Sequence, residues 1–215
     1  MSELQLAALT LFGCCVAAAF SAHLLTECQR DKARALALLN AFAALLVINC
    51  LRLSLPTGPD IHFLLTSALT LTLGFRAALC CATATLLVTA AAGITSPAQL
   101  GINGICFVLL PVGLTYLLYA LAFHRLPRDF FSYIFLCAFL PAALVLALSM
   151  LLAGQFYIAQ GLYSAETIVH NYYQIIPLLL FPEALLNGII MTILVLYRPQ
   201  WVYTFHDRFY FDDRE

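Results

Sequence analysis

Long apolar segments alternate with short charged clusters throughout this sequence. An α-helix needs about 20 apolar residues to cross the ~30 Å hydrocarbon core of a bilayer, and the chain contains several runs near that length. Only 10% of the 215 residues are charged and 63% are hydrophobic. Soluble domains carry about 25% charged residues. The sequence therefore predicts an all-α, polytopic bundle of transmembrane helices, and we expect the first apolar run to remain as a helix rather than to be cleaved as a signal.

Charges and helix-breaking residues divide the apolar sequence into about seven helices. The run that begins at Ile61 contains Gly74 and Arg76, and an arginine at mid-bilayer costs about 2.5–3.5 kcal/mol on insertion scales. We therefore expect a short hairpin pair that turns at Gly74 and leaves Arg76 at an aqueous or headgroup edge. The predicted spans are residues 4–25, 35–51, 61–73, 77–92, 103–123, 130–152 and 172–197, with a loop predicted at 153–171.

The basic residues predict the orientation of this bundle, because lysine and arginine in short loops concentrate on the cytoplasmic side. When the hairpin is counted as two helices, Arg52 alone falls on one side and the other nine basic residues fall on the opposite side. This distribution predicts the amino terminus outside and the carboxyl terminus inside. We expect residues 1–199 to form a single transmembrane domain and residues 200–215 a short cytoplasmic tail.

Composition and missing motifs exclude several functional classes. The chain has 10 basic and 11 acidic residues, so it offers no basic surface for a nucleic acid. It contains no GxxxxGK[ST] P-loop for ATP. The 8 cysteines include no CxxC and no Cys/His zinc spacing, and we interpret them as small residues that face lipid or other helices. We predict that the protein is not an enzyme and has no permanently bound cofactor.

Polar residues gather at the predicted outer face. A Gly58-Pro59 bend precedes Asp60, which we expect to cap the short helix, and His62, which we expect in its first turn at the water boundary. Imidazole nitrogen with carboxylate or amide oxygen suits borderline metals such as Co²⁺ and Ni²⁺. The candidate metal ligands are His62, Asp60 and His170, with Asn49 and Asn103 as further polar residues. As alternatives, His62 is an interfacial side chain bonded to a backbone carbonyl, and His170 belongs to an aromatic belt.

Glu183 lies about halfway along the last predicted span, and Asn187 follows one turn later on the same face. An ionisable group at this depth is costly and usually faces the bundle interior with a partner. Two interpretations stay open. Glu183 and Asn187 are part of an ion or substrate path, or the carboxyl group ties helices together by pairing with Asn187 or Arg76.

Four separated motifs occur in an order that resembles a known family. They are Gly58-Pro-Asp-Ile-His62, Leu73-Gly74-Phe-Arg-Ala-Ala, Gly93-Ile-Thr-Ser with Leu100-Gly-Ile-Asn103, and Phe181-Pro-Glu183-Ala-Leu-Leu-Asn187-Gly. Between about Asn49 and Trp201 the chain resembles the CbiM/NikM-type substrate-specific components of energy-coupling factor transporters for cobalt and nickel. The resemblance implies a multi-pass protein in the lipid of the bacterial inner membrane. It also implies a transmembrane coupling subunit and cytoplasmic ATP-binding subunits as partners.

The resemblance further implies that His62 is a metal ligand and that Asn103 lies in the loop region around it. In the family an amino-terminal Met-His supplies the remaining ligands, whereas this chain begins Met1-Ser2-Glu3. Asp60 or His170 are the candidate replacements, and Cys50 or Cys106 would shift the preference toward softer metals.

These observations lead to one leading hypothesis and two alternatives. The leading hypothesis is a permease component that binds and imports cobalt, nickel or another small solute. The first alternative is a non-transporting membrane scaffold that has lost the metal site. The second is an intramembrane enzyme with Glu183 and His62 as acid and base, which we disfavour because the sequence separates the two by roughly half a bilayer.

Overall fold

The computed structural model describes residues 2–20, 32–53, 58–125 and 129–205. Within these ranges the chain forms seven helices, which confirms the predicted all-α bundle. They are α1 (Glu3–Ala19), α2 (Lys32–Cys50), α3 (Thr66–Leu73), α4 (Phe75–Ala91), α5 (Pro97–Arg125), α6 (Phe130–Ala159) and α7 (Ala165–Tyr197). The predicted end of the first span, most of the charged linker after it and residues 206–215 of the tail lie outside the described residues.

Three of these helices, α5, α6 and α7, are long and apolar enough to cross a membrane. Each contains a π-helical segment, at Ile105–Leu109, Tyr133–Phe139 and Ile168–Tyr172 respectively. Such segments widen the helix by one residue and are frequent at functional sites. Helices α1, α2 and α4 are apolar but shorter.

The predicted loop at 153–171 is wrong over most of its length. Helix α6 continues to Ala159, and the chain turns at Gly161, which has a φ of +67°. Ser164 then caps the amino end of α7, because its side chain accepts a hydrogen bond from the Thr167 N–H at 3.1 Å. The polar residues that suggested a loop therefore cap and flank two helices.

Helix α3 is short and central, and all 8 of its residues are buried. The predicted helix start at Ile61 and the predicted cap by Asp60 are wrong. Residues Ile61–His62 instead form a strand, β2, that pairs antiparallel with β1 (Arg52–Leu53). The helix begins only at Thr66, after Leu65 adopts a left-handed φ of +50°.

Gly74 joins α3 to α4, and the two helices contact each other. Its φ of +80° and ψ of 166° belong to a region that is essentially restricted to glycine. Arg76 is exposed immediately after this turn. The predicted hairpin pair with its turn at Gly74 is therefore confirmed.

Residues 199–205 return to the carboxyl end of α3. The N–H of Tyr203 donates to the Thr72 carbonyl at 2.9 Å, and the N–H of Thr204 donates to the Leu71 carbonyl at 3.2 Å. Val202 and Phe205 are buried in the cluster that also contains Tyr133. The start of the predicted tail thus packs against the helical bundle, while its cytoplasmic location stays a prediction.

Candidate functional site

A cavity of about 240 Å³ lies beside the β1–β2 pair. Its walls come from α2, the strand pair, the first residue of α3, α4, the start of α5 and the end of α6. Four of the residues singled out in the sequence line this cavity, namely Asn49, Asp60, His62 and Asn103. The strand pair places His62 there, since β2 holds it directly opposite Arg52 of β1.

His62 is a partly buried side chain whose ring packs edge-on against Phe107, with 5.3 Å between the ring centroids. Burial and, to a smaller extent, the positive charge of Arg52 lower the pKa of His62 to about 3. The imidazole is therefore neutral near neutral pH. A neutral imidazole keeps a nitrogen lone pair with which it can bind a metal ion.

Two side-chain oxygens of residues that line the cavity are buried and lack a hydrogen-bond partner among the described residues. They are Oδ1 of Asn103 and Oγ1 of Thr66, on side chains that are 8% and 3% exposed. Buried polar atoms are nearly always hydrogen-bonded, so unpaired ones call for a ligand, an ion or water. Amide and hydroxyl oxygens are suitable donors to a divalent cation. Both residues line the same cavity as His62 and Asp60.

The charged side chains do not form a complete metal site by themselves. Among the described residues, no group of three or more His, Cys, Asp or Glu side chains is placed to hold a metal ion. Cys50 is exposed and Cys106 is buried, and neither lines the cavity. A metal ion in the cavity would therefore need further donors in addition to Asp60 and His62. These would be neutral oxygen atoms of the protein, water molecules, or ligands that the ion brings with it.

His170 is not brought to this cavity. It is an exposed residue near the start of α7, and its Nδ1 lies 3.3 Å from the side-chain nitrogen of Gln174 on the same helix. Its suggested role as a metal ligand stays a prediction without support from the geometry.

Arg52 also lines the cavity, although it is not among the site residues predicted from the sequence. Its Nε donates to the Asn49 carbonyl and its Nη2 donates to Oγ1 of Thr95, each at 2.9 Å. Burial lowers the pKa of Arg52 and the nearby Asp60 carboxylate opposes that shift. Arginine stays charged because its ordinary pKa is above 12. Arg52 is the single basic residue on the predicted outer side, and this isolation could have identified it from the sequence.

Glu183 and Asn187 lie on α7 at the amino end of α3, not on the cavity wall. The N–H groups of Leu64 and Leu65 donate to the two carboxyl oxygens of Glu183 at 3.0 and 2.8 Å. Asn187 donates from Nδ2 to Glu183 Oε1 at 2.9 Å and accepts from the Ala68 N–H at 2.8 Å. This geometry favours the interpretation that the pair ties helices together.

The comparison with protein families matches almost the whole chain. The CbiM family, described as the cobalt uptake substrate-specific transmembrane region, matches residues 3–201. The chain belongs to the CbiM family. Members of the CbiM family are components of transporters rather than enzymes, and the family supports a membrane location and a role in cobalt uptake. No match was found among curated proteins or among solved structures.

Proposed function

We propose that this CbiM family member is the solute-binding permease component of an energy-coupling factor type importer, and that it captures Co²⁺ in the cavity beside His62. The observation that carries the proposal is that Asn103 and Thr66, which line the cavity together with His62 and Asp60, each have a buried side-chain oxygen without a hydrogen-bond partner among the described residues. A cation would satisfy both oxygens, which are otherwise costly to bury.

The donor set supports Co²⁺ as cargo, with Ni²⁺ as a second cargo. His62 supplies a neutral nitrogen, Asp60 a carboxylate, and Asn103 an amide oxygen. Borderline divalent metals accept such a mixture of imidazole and oxygen donors. Apolar side chains such as Phe107 and Val108 form part of the wall, and polar contacts beside them are stronger than in water because the local dielectric constant is lower.

The direction of transport follows from the distribution of basic residues. We infer that the cavity opens to the outside of a bacterial inner membrane, because Arg76 and Arg198 belong to the opposite, basic side. Release inward would require a conformation with lower affinity, stabilised by docking to a transmembrane coupling subunit. The chain has no P-loop, so cytoplasmic ATP-binding subunits would supply the energy.

A second candidate function, a membrane scaffold without a metal site, is favoured by the incomplete set of ligands. In the part of the chain that the structure describes, no group of three or more His, Cys, Asp or Glu side chains is placed to hold a metal ion.

Equilibrium dialysis of the detergent-purified protein against Co²⁺ distinguishes the two functions. We expect one saturable Co²⁺ site that His62→Ala weakens by about tenfold or more, since it removes the nitrogen donor. The matched control is His170→Ala, an exposed histidine on α7 that we expect to bind like the wild type. Absence of bound metal together with copurification of a partner protein would decide for the scaffold.

A further inference from the structure

The cavity contains a fixed positive charge as well as the candidate metal donors. Of the residues that line it, only Arg52 and Asp60 carry a formal charge, and the two charges are opposite in sign. The formal charge of the lining is therefore zero. A bare divalent ion would bring two positive charges into a partly buried space beside a guanidinium group, where screening is weaker than in water.

The guanidinium of Arg52 is held in a defined orientation. Its Nε and Nη2 are anchored by the Asn49 carbonyl and the Thr95 hydroxyl, while Nη1 has no hydrogen-bond partner among the described residues. Arginine presents a planar fork of N–H donors that matches a carboxylate group. An anchored guanidinium on a cavity wall is thus a recognition element for an anionic group of a ligand.

The size of the cavity agrees with a ligand larger than an ion. Its volume is about 240 Å³. Since roughly 10–15 Å³ of such volume is enough for one water molecule, this space is much larger than a single ion requires. A metal ion held by His62 and Asp60 would leave most of this volume open.

Resting on the proposed function, we infer that the solute in this cavity is a divalent metal ion that carries a carboxylate chelator, with Arg52 binding a carboxylate of the chelator and His62 binding the metal. The chelator supplies the negative charge and the additional metal ligands that the cavity wall lacks. The chain itself therefore needs fewer ligands than a site for a bare ion.

Equilibrium dialysis with three probes tests this inference: Co²⁺ alone, citrate alone, and the preformed one-to-one Co²⁺–citrate complex. We expect the wild type to bind the complex at least about tenfold more tightly than Co²⁺ alone, and to retain cobalt and radiolabelled citrate in equal amounts. Arg52→Gln should abolish this preference for the complex over Co²⁺ alone. Arg52→Lys should retain part of it, because it keeps the charge but loses the planar fork.

Arg76→Gln is the matched control, since Arg76 is an exposed arginine outside the cavity, and it should bind all three probes like the wild type. Equal affinity of the wild type for Co²⁺ and for the complex would overturn the inference and leave the proposed function standing. Equal affinity for citrate alone and for the complex would overturn it in favour of a plain anion site. If the wild type retains no cobalt in either form, the proposed function itself fails. The wild-type comparison decides the inference even where Arg52→Gln does not fold.

Discussion

Glu183 on α7 accepts a hydrogen bond from the backbone N–H of Leu65, with 2.8 Å between Oε1 and the nitrogen. The first N–H groups of any helix lack partners within the helix, and a helix that begins inside a bundle cannot use bulk water for them. Glu183 and Asn187 supply these partners for α3. Because Thr66 follows directly and lines the cavity, this cap fixes the backbone beside the candidate site.

Removal of this cap should destabilise the protein. Glu183→Ala leaves the N–H groups of Leu64 and Leu65 without this partner, at a cost of about 1–3 kcal/mol for the buried Leu64 group and less for the partly buried Leu65 group. Glu183→Gln should cost less, since an amide oxygen still accepts one of the two bonds. Thermal unfolding of the purified protein measures both effects. Glu166→Gln, at an exposed position on the same helix, is the control, and an unchanged midpoint for Glu183→Ala would refute the capping role.

The turn at Gly74 should not tolerate a side chain. Its backbone lies in a region that costs other residues about 1–3 kcal/mol, and an added Cβ would lie 2.8 Å from Cδ1 of Tyr203. Gly74→Ala should therefore lower the midpoint of thermal unfolding. In contrast, a Cβ added at Gly113 in α5 would meet no heavy atom within 4 Å. Gly113→Ala should therefore be neutral or stabilising. Equal midpoints for the two variants would contradict this account of the hairpin.

His62 should make the metal-free protein less stable in acid. Its pKa is lowered from 6.5 to about 3, so the unfolded chain binds more protons than the folded protein between these values. Stability therefore increases with pH across this range and is lost as the pH falls below 6.5, by at most about 2 kcal/mol at about pH 5. Denaturant titrations at about pH 7.5 and about pH 5 measure the difference. His62→Gln should remove this part of the pH dependence. If the variant loses as much unfolding free energy between the two pH values as the wild type does, the prediction is wrong.

The orientation in the membrane can be tested with reporter fusions. Nine of the ten basic residues lie on the predicted inner side together with the carboxyl terminus. A green fluorescent protein fused to that terminus should therefore fluoresce, and alkaline phosphatase fused there should be inactive. An active phosphatase fusion would reverse the orientation and place the cavity on the cytoplasmic side.

The helices and the break at Gly74 could be predicted because local features determine them. Apolar length defines a span, and Arg76 cannot remain inside one. The start of α3 could not be predicted in this way. Residues 61–65 are mostly apolar and resemble the beginning of a helix, but the cap that fixes the start at Thr66 comes from Glu183, 118 residues after Leu65.

The candidate site could be predicted in part for a similar reason. Membrane topology places Asp60, His62 and Asn103 at one end of the bundle, and they line one cavity. Topology also places His170 at that end, but it does not give the direction of a side chain around the helix axis, and His170 is exposed. Arg52 joined the site through the strand pairing with His62, which no local pattern in two short segments indicates.

Diffraction from crystals grown with Co²⁺, with data collected at the cobalt absorption edge, would locate the bound ion. We expect an anomalous difference peak inside the cavity, about 2.0–2.6 Å from a ring nitrogen of His62 and from an oxygen of Asp60 or Asn103. A cobalt peak found only outside the cavity, for example at His170, would contradict this expectation.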